Sequence, residues 1–208
     1  MQPELTQDEK EIRNAEILIL LILGKAGGRI SMLHLHKIYF FLWKFHPEVR
    51  KLVDFVAHLK GPYSRDLDDL VKNPTFLIGC WKYIPPVNRS EAEEVKGGYL
   101  ELTEKGKELY EKIDKALNEK AKEDDDALAL ISAVDLIVPL YTRLEWDELL
   151  FLLYTDETNK EFSKKSALSR LIFQKSEKIV DRLVKKGIIP EEKRGALLKR
   201  VRNARWIR

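Results

Sequence analysis

The chain has 208 residues, of which 44% are hydrophobic and 34% charged, enough apolar material for one or two compact domains and too much for a chain disordered throughout. A single cysteine, Cys80, excludes an intramolecular disulfide and a thiolate metal cluster. The longest aliphatic run, Ile17 to Leu23, falls far short of the ~20 residues that cross a bilayer, and the acidic start QPELTQDEKE lacks the basic flank of a secretory signal, so a cytoplasmic protein with no membrane partner is expected.

The net charge of +3 hides a polarised chain. From Lys164 to Arg208 there are fifteen Lys/Arg against four Asp/Glu, so residues 1–163 carry a net negative charge. Charged residues are abundant while Gln and Asn are sparse, a composition that fits a thermophilic source.

Taken in order, Glu9 to Lys25 has helix-forming composition, is apolar almost all round, and stops at Gly27-Gly28. Ser31 caps a second helix, SMLHLHKIYFFLWKFH, which ends before Pro47; its Tyr39, Phe40, Phe41, Trp43 and Phe45 read as the centre of a core. LVDFVAHL reads as a short strand or an extended lead-in to the Gly61-Pro62 turn, after which Ser64 caps a third helix carrying Leu67, Leu70 and Val71 on its apolar side. FLIGCWKYI and YLEL predict two strands joined by a charged, flexible loop, VNRSEAEEVKGG, and Thr103 caps the helix EKGKELYEKIDKAL. Cys80, inside the first of these strands, reads as a buried small hydrophobe. Three helices, a strand, a wing, a strand and a helix is the winged-helix order, a variant of the helix-turn-helix plan. The predicted fold class is therefore mainly α, an α+β winged helix with a two-stranded wing hairpin over residues 1–121, followed by a helical C-terminal region with a basic tail over 122–208.

The acidic run KEDDDA at 122–127 marks either that boundary or an exposed helix start. Beyond it the pattern is helical throughout: ALALISAVDLIVPLY, then WDELLFLLY, then a long helix opening at Ser163 or Ser166 and closing at Gly187, then a last helix from Pro190-Glu191-Glu192.

Several stretches carry a resemblance. Lys37-Ile38-Tyr39-Phe40, the turn Gly61-Pro62-Tyr63-Ser64 with Leu67 and Leu70 behind it, and YLELTEKGKELYEKI resemble bacterial and archaeal winged-helix proteins of the YwgA type, and more distantly the SocA-like (Panacea) antitoxin domains. The likeness covers residues 30–115, and more loosely 145–170 through ELLFLLYTDETNKEFSKKS. It departs at Asp156-Glu157 and has no counterpart for 188–208. It implies a winged-helix protein without catalytic residues, acting as a regulator or partner-binding module in defence or toxin–antitoxin systems, and it transfers no functional residue.

The residues themselves divide the candidate contacts by charge. Base-edge readout needs donors on an exposed helix, with cations to meet the phosphates. The third helix instead offers Arg65, Asp66, Asp68, Asp69 and Lys72, net −1, and the wing offers Arg89 and Lys96 against Glu91, Glu93 and Glu94, also −1. Tyr63, Arg65, Asp66 and Asp69 therefore form a candidate face for a protein partner. The C-terminus has the opposite sign: Leu197, Leu198, Val201 and Ala204 are spaced as a buried stripe, which leaves Lys193, Arg194, Lys199, Arg200, Arg202 and Arg205 as the candidate nucleic-acid contacts, with Trp206 able to stack on a base. A homodimer would set two such tails side by side. The competing reading of the same tail is a solvated basic helix that pairs with the acidic first part of the chain, within one subunit or between two.

Catalytic patterns are missing. His34 and His36 lie two apart, about 200° round a helix, and cannot share a metal. The acids at 123–126 read as helix capping and solubility. No Gly-rich phosphate loop or nucleophile elbow occurs. No cofactor, no metal and no enzymatic activity are expected.

Overall fold

In the computed structural model, which describes residues 4–86 and 90–203, the elements follow from local signals that are mostly visible in the sequence. They run α1 (Gln7–Lys25), β1 (Arg29–Ser31), α2 (Met32–Phe45), α3 (Pro47–Arg50), β2 (Val56–His58), β3 (Gly61–Tyr63) and α4 (Arg65–Lys72). Then come β4 (Trp81–Ile84), α5 (Glu91–Lys96), β5 (Tyr99–Leu102), α6 (Glu104–Lys120) and α7 (Asp125–Thr142). The remainder is α8 (Trp146–Thr155), a 3-10 turn (Glu157–Asn159), α9 (Lys160–Lys165), α10 (Ser169–Gln174), α11 (Ser176–Lys185), a second 3-10 turn (Glu191–Lys193) and α12 (Arg194–Asn203). The protein is mainly helical with a small antiparallel sheet. No helix among the described residues is long and apolar enough to cross a membrane.

Two units emerge. The first takes the chain up to Phe55 together with Ser64–Arg143; the second takes Val56–Tyr63 and the chain from Leu144 onward. The division thus falls later than the acidic run at 122–127, because Asp124 in that run caps α7 through the Ala127 amide at 2.9 Å and α7 packs on α1, α2 and α6. The run is a helix start.

In the first unit, hydroxyl caps define the helix starts. Ser31, Ser64 and Thr103 accept from the amides of His34, Leu67 and Gly106 respectively, each satisfying one amide the helix itself leaves unpaired. The sheet is antiparallel in the order β1-β5-β4, with Ile30 opposite Leu100 and Tyr83 opposite Leu100 on the other side. Only the end of FLIGCWKYI is a strand: the preceding turn is held by the Glu16 carboxylate, which accepts from the amides of Thr75, Phe76 and Leu77. The stretch expected as a flexible wing loop contains α5, capped by Ser90 on the Glu93 amide. Arg89 lies outside the described residues. Behind the sheet, α6 approaches so closely that a methyl on Gly106 would stand 1.8 Å from the Cys80 carbonyl oxygen; only glycine permits this contact. Cys80 is buried, as expected, and burial raises its thiol pKa.

The core of this unit is the aliphatic body of α1 with α2, where Leu20, Ile22, Leu35, Ile38, Tyr39 and Leu42 are fully enclosed. Phe41 stacks on Tyr141 of α7 at 4.3 Å. Phe45 is the exception among the aromatics expected in the core: at the end of α2 it is 68% exposed.

The second unit is built round α8, whose Leu149, Leu150, Phe151, Leu153 and Tyr154 are fully buried. The β2–β3 hairpin, with Ala57 opposite Pro62, docks on it through Leu59, whose carbonyl accepts from the Ala167 amide and the Ser166 hydroxyl. Ser166 also meets the Tyr154 hydroxyl at 2.6 Å. These bonds hold the chain out of helical geometry at Ser166; the long helix expected to open at Ser163 or Ser166 and close at Gly187 is instead three helices, α9, α10 and α11.

Candidate functional site

The predicted partner face divides between the units. Tyr63 belongs to β3 of the second unit, half-buried, with its ring 5.0 Å from that of His58. Arg65, Asp66 and Asp69 belong to α4 of the first, where the structure joins them to residues the sequence reading left out.

Three contacts fix α4. Leu67 and Val71 bury its inner side; the Trp81 indole N–H donates to the Val71 carbonyl at 2.9 Å; and the Ser64 amide donates to Nδ1 of the buried His36 at 3.4 Å. An amide donor at Nδ1 places the imidazole proton on Nε2, which faces Asp68 at 4.0 Å. Asp68 is thereby half-buried, and Lys72 closes on it at 2.6 Å; it is not the exposed acid the helix pattern suggests.

Held in this way, α4 presents Asp66 and Asp69 to a cleft of about 430 Å³ whose opposite wall is the first turns of α1, with Asp8 and Glu11. The floor is Ile12, Leu52 and Leu70. Four acidic residues therefore line the cleft over an apolar base, and among the described residues no lysine or arginine lines it. Arg65 reaches Asp69 at 3.8 Å across a helix turn, with both side chains mostly in water, an arrangement that contributes little. Such a cleft concentrates negative potential and attracts cations; among the described residues no three of its groups are placed to hold a metal ion. Asp8 and Glu11 belong to the acidic start that the sequence reading weighs only as lacking the basic flank of a secretory signal. Their spacing of three on α1, one face of a helix, was the available signal.

At the C-terminus three arginines of the second unit lie beside acids of the same unit. Arg194 is half-buried and bonds Asp181 at 2.7 Å; Arg200 lies 3.5 Å from Glu157, and Arg202 3.6 Å from Glu177. Lys193 and Lys199 are exposed. Of the predicted apolar stripe, Leu198 and Val201 are buried and Leu197 half-buried. Arg205, Ala204 and Trp206 lie outside the described residues. Three of the predicted nucleic-acid contacts thus already face carboxylates of their own unit, because acids from the turn after α8 and from α11 reach them.

Deeper in the same unit a second charged cluster is structural. Glu148 is fully buried, caps the Glu145 amide at 2.7 Å, and meets Arg182 at 3.1 Å and Lys186 at 2.6 Å; Asp147 takes the other side of Arg182 at 2.7 Å.

No protein-family model, no curated protein and no solved structure matches this chain, so its function has to be argued from the chemistry of these surfaces.

Proposed function

We propose that the protein is a non-catalytic winged-helix binding module whose acidic cleft, between α4 and the start of α1, receives a basic segment of a protein partner. Support for the winged-helix assignment comes from the order α1-β1-α2-α4-β4-β5 and from the antiparallel sheet β1-β5-β4, with α4 in the place of a recognition helix. The observation that carries the partner assignment is the meeting of Asp66 and Asp69 with Asp8 and Glu11 over an apolar floor. Phosphates would be repelled there, whereas guanidinium or ammonium groups on a flexible chain would be attracted, their methylene stems lying on Ile12, Leu52 and Leu70. The resemblance to Panacea-type antitoxins, which implies a partner-binding module, points the same way.

A displayed library of random dodecapeptides tests this. Selected sequences should be rich in Arg and Lys, and Asp66→Lys with Asp69→Lys should abolish the selection while Arg200→Glu with Arg202→Glu leaves it intact. The same basic peptides emerging from the Asp66/Asp69 variant would sink the reading.

A second reading, a regulator bound to nucleic acid through the helical C-terminal region, rests on the charge of the second unit. It carries seventeen Lys/Arg against ten Asp/Glu. In that reading Lys193, Lys199 and whatever arginines can leave their carboxylates neutralise phosphates, and a homodimer would double the count.

A further inference from the structure

We propose that the first unit also binds a small molecule, an apolar body ending in one ammonium group, in a pocket of about 510 Å³ formed by α1, α3, α6 and α7. The volume is that of an ordinary small-ligand site.

The class of ligand follows from how the walls change along the pocket. On α1 the lining residues run from Gln7 and Glu11 to Leu21, on α6 from Lys120 back to Ile113, and on α7 from Asp126 to Leu130. The three helices share one register, because Lys25 at the far end of α1 bonds Asp135 of α7 at 2.7 Å and lies 3.5 Å from Asp114 of α6. All three walls therefore grade in the same direction, from charged at one end to aliphatic at the other. At 1.5 Å per residue the Glu11–Leu21 wall is roughly 15 Å long, enough for an extended chain or two rings.

The charged end carries three carboxylates, Glu11, Glu48 and Asp126, against two cations, Lys51 and Lys120. Lys120 is taken by Asp124 at 2.9 Å, and Lys51 by Glu48 at 2.7 Å. Glu11 accepts from the neutral Gln7 amide at 2.8 Å. The Lys51 ammonium is held above its ordinary pKa by its bond to Glu48, with further contributions from the charges of Glu11 and Asp126, so the field at this mouth favours positive charge. His46, 6% exposed, gives an independent indication. Its Nε2 stands 3.4 Å from the Asp126 carbonyl oxygen, an acceptor, so the ring proton belongs there and Nδ1 is an acceptor. Nδ1 has no hydrogen-bond partner. The carboxylates call for positive charge and the acceptor nitrogen for a hydrogen-bond donor, and an ammonium group supplies both.

The pocket shares Glu11 and Leu52 with the acidic cleft, but the proposal stands whether or not a peptide binds there. Octylamine, octanol and octanoate, used below micellar concentration, differ only in the head group and serve as probes by calorimetry and thermal melting. Octylamine should bind and raise the melting midpoint by about 3 °C near saturation, with octanol weaker and octanoate silent. Ala116→Trp, on an exposed position of α6 lining the mouth, should abolish the shift without changing the unliganded melt. Asp126→Asn should weaken octylamine about two- to fivefold and leave octanol unchanged. Equal binding of octanoate, or undiminished octylamine binding by a folded Ala116→Trp variant, overturns the proposal.

Discussion

The carboxylate of Glu16, in the middle of the apolar run of α1, accepts the amide of Leu77 at 2.6 Å, and takes the amides of Phe76 and Thr75 as well. The side chain is fully enclosed, and the three backbone amides meet its carboxylate there. Glu16→Ala would leave three donors near the interior without an acceptor, at a cost of about 3–5 kcal/mol. Glu16→Gln should cost less, since one oxygen remains, but still destabilise because its amide N–H₂ faces donors. Urea midpoints with an unchanged slope measure both; a loss below about 1 kcal/mol for Glu16→Ala would show that the loop finds other acceptors.

The cluster of Glu148 with Arg182 and Lys186 predicts a different pattern. Removing the acid alone, in Glu148→Ala, strips the Glu145 amide of its cap and the two cations of their partner. Both cations are partly exposed and can turn to water, so the loss should lie near the low end for a broken buried pair, about 3 kcal/mol. Replacing the whole cluster, Glu148→Leu with Arg182→Met and Lys186→Met, should recover most of it, because the desolvation cost disappears together with the attraction. Chemical denaturation of the two variants side by side separates a cluster that stabilises from one that only must not be left half made.

Asp124 gives the acid limb of stability a definite sign. The Ala127 amide, then the Lys120 ammonium, hold its pKa below the ordinary 3.8. A carboxyl depressed in the folded state stabilises at pH values above 3.8 and loses that contribution as pH falls through the lower folded value. Asp124→Ser keeps a cap without the titration. The wild type should therefore melt higher than Asp124→Ser at neutral pH, and the gap should close below pH 3.8; a gap constant down to pH 2 would mean that the charge contributes nothing.

What could be read in advance, and what could not, depended on where each partner lies. Ser31, Ser64 and Thr103 cap helices a few residues away, so their signals are local, and the starts of α2, α4 and α6 fell where the sequence placed them. α5 also had a local signal, Ser90 three residues before Glu93, but a short charged segment between strands resembles a loop in composition. Glu16 could not be read at all: its partners are main-chain amides sixty residues on, and amides leave no mark in a sequence. The break at Ser166 depends on Leu59, more than a hundred residues away. The candidate cleft was half legible, since α4 announced Asp66 and Asp69, while Asp8 and Glu11 join them only because the Glu16 contact and the burial of Leu67 and Val71 bring α1 beside α4.

The paired arginines of α12 make the charge on this helix testable. Counterion release gives a slope of log affinity against log salt near −0.9 per phosphate neutralised. If Asp181, Glu157 and Glu177 keep Arg194, Arg200 and Arg202, the helix offers Lys193 and Lys199, and a slope of about −2 is expected for duplex DNA or RNA. Were all five cations free, the value would be roughly −4.5. The carboxylates decide between these figures. Asp181→Asn, Glu157→Gln and Glu177→Gln together should free the arginines, steepen the slope toward the larger value and tighten binding at low salt. Fluorescence anisotropy with a labelled duplex at several salt concentrations measures it. If the wild type already shows the steep slope, phosphates out-compete these acids, and the second unit is the nucleic-acid-binding part of the protein in spite of its internal pairs.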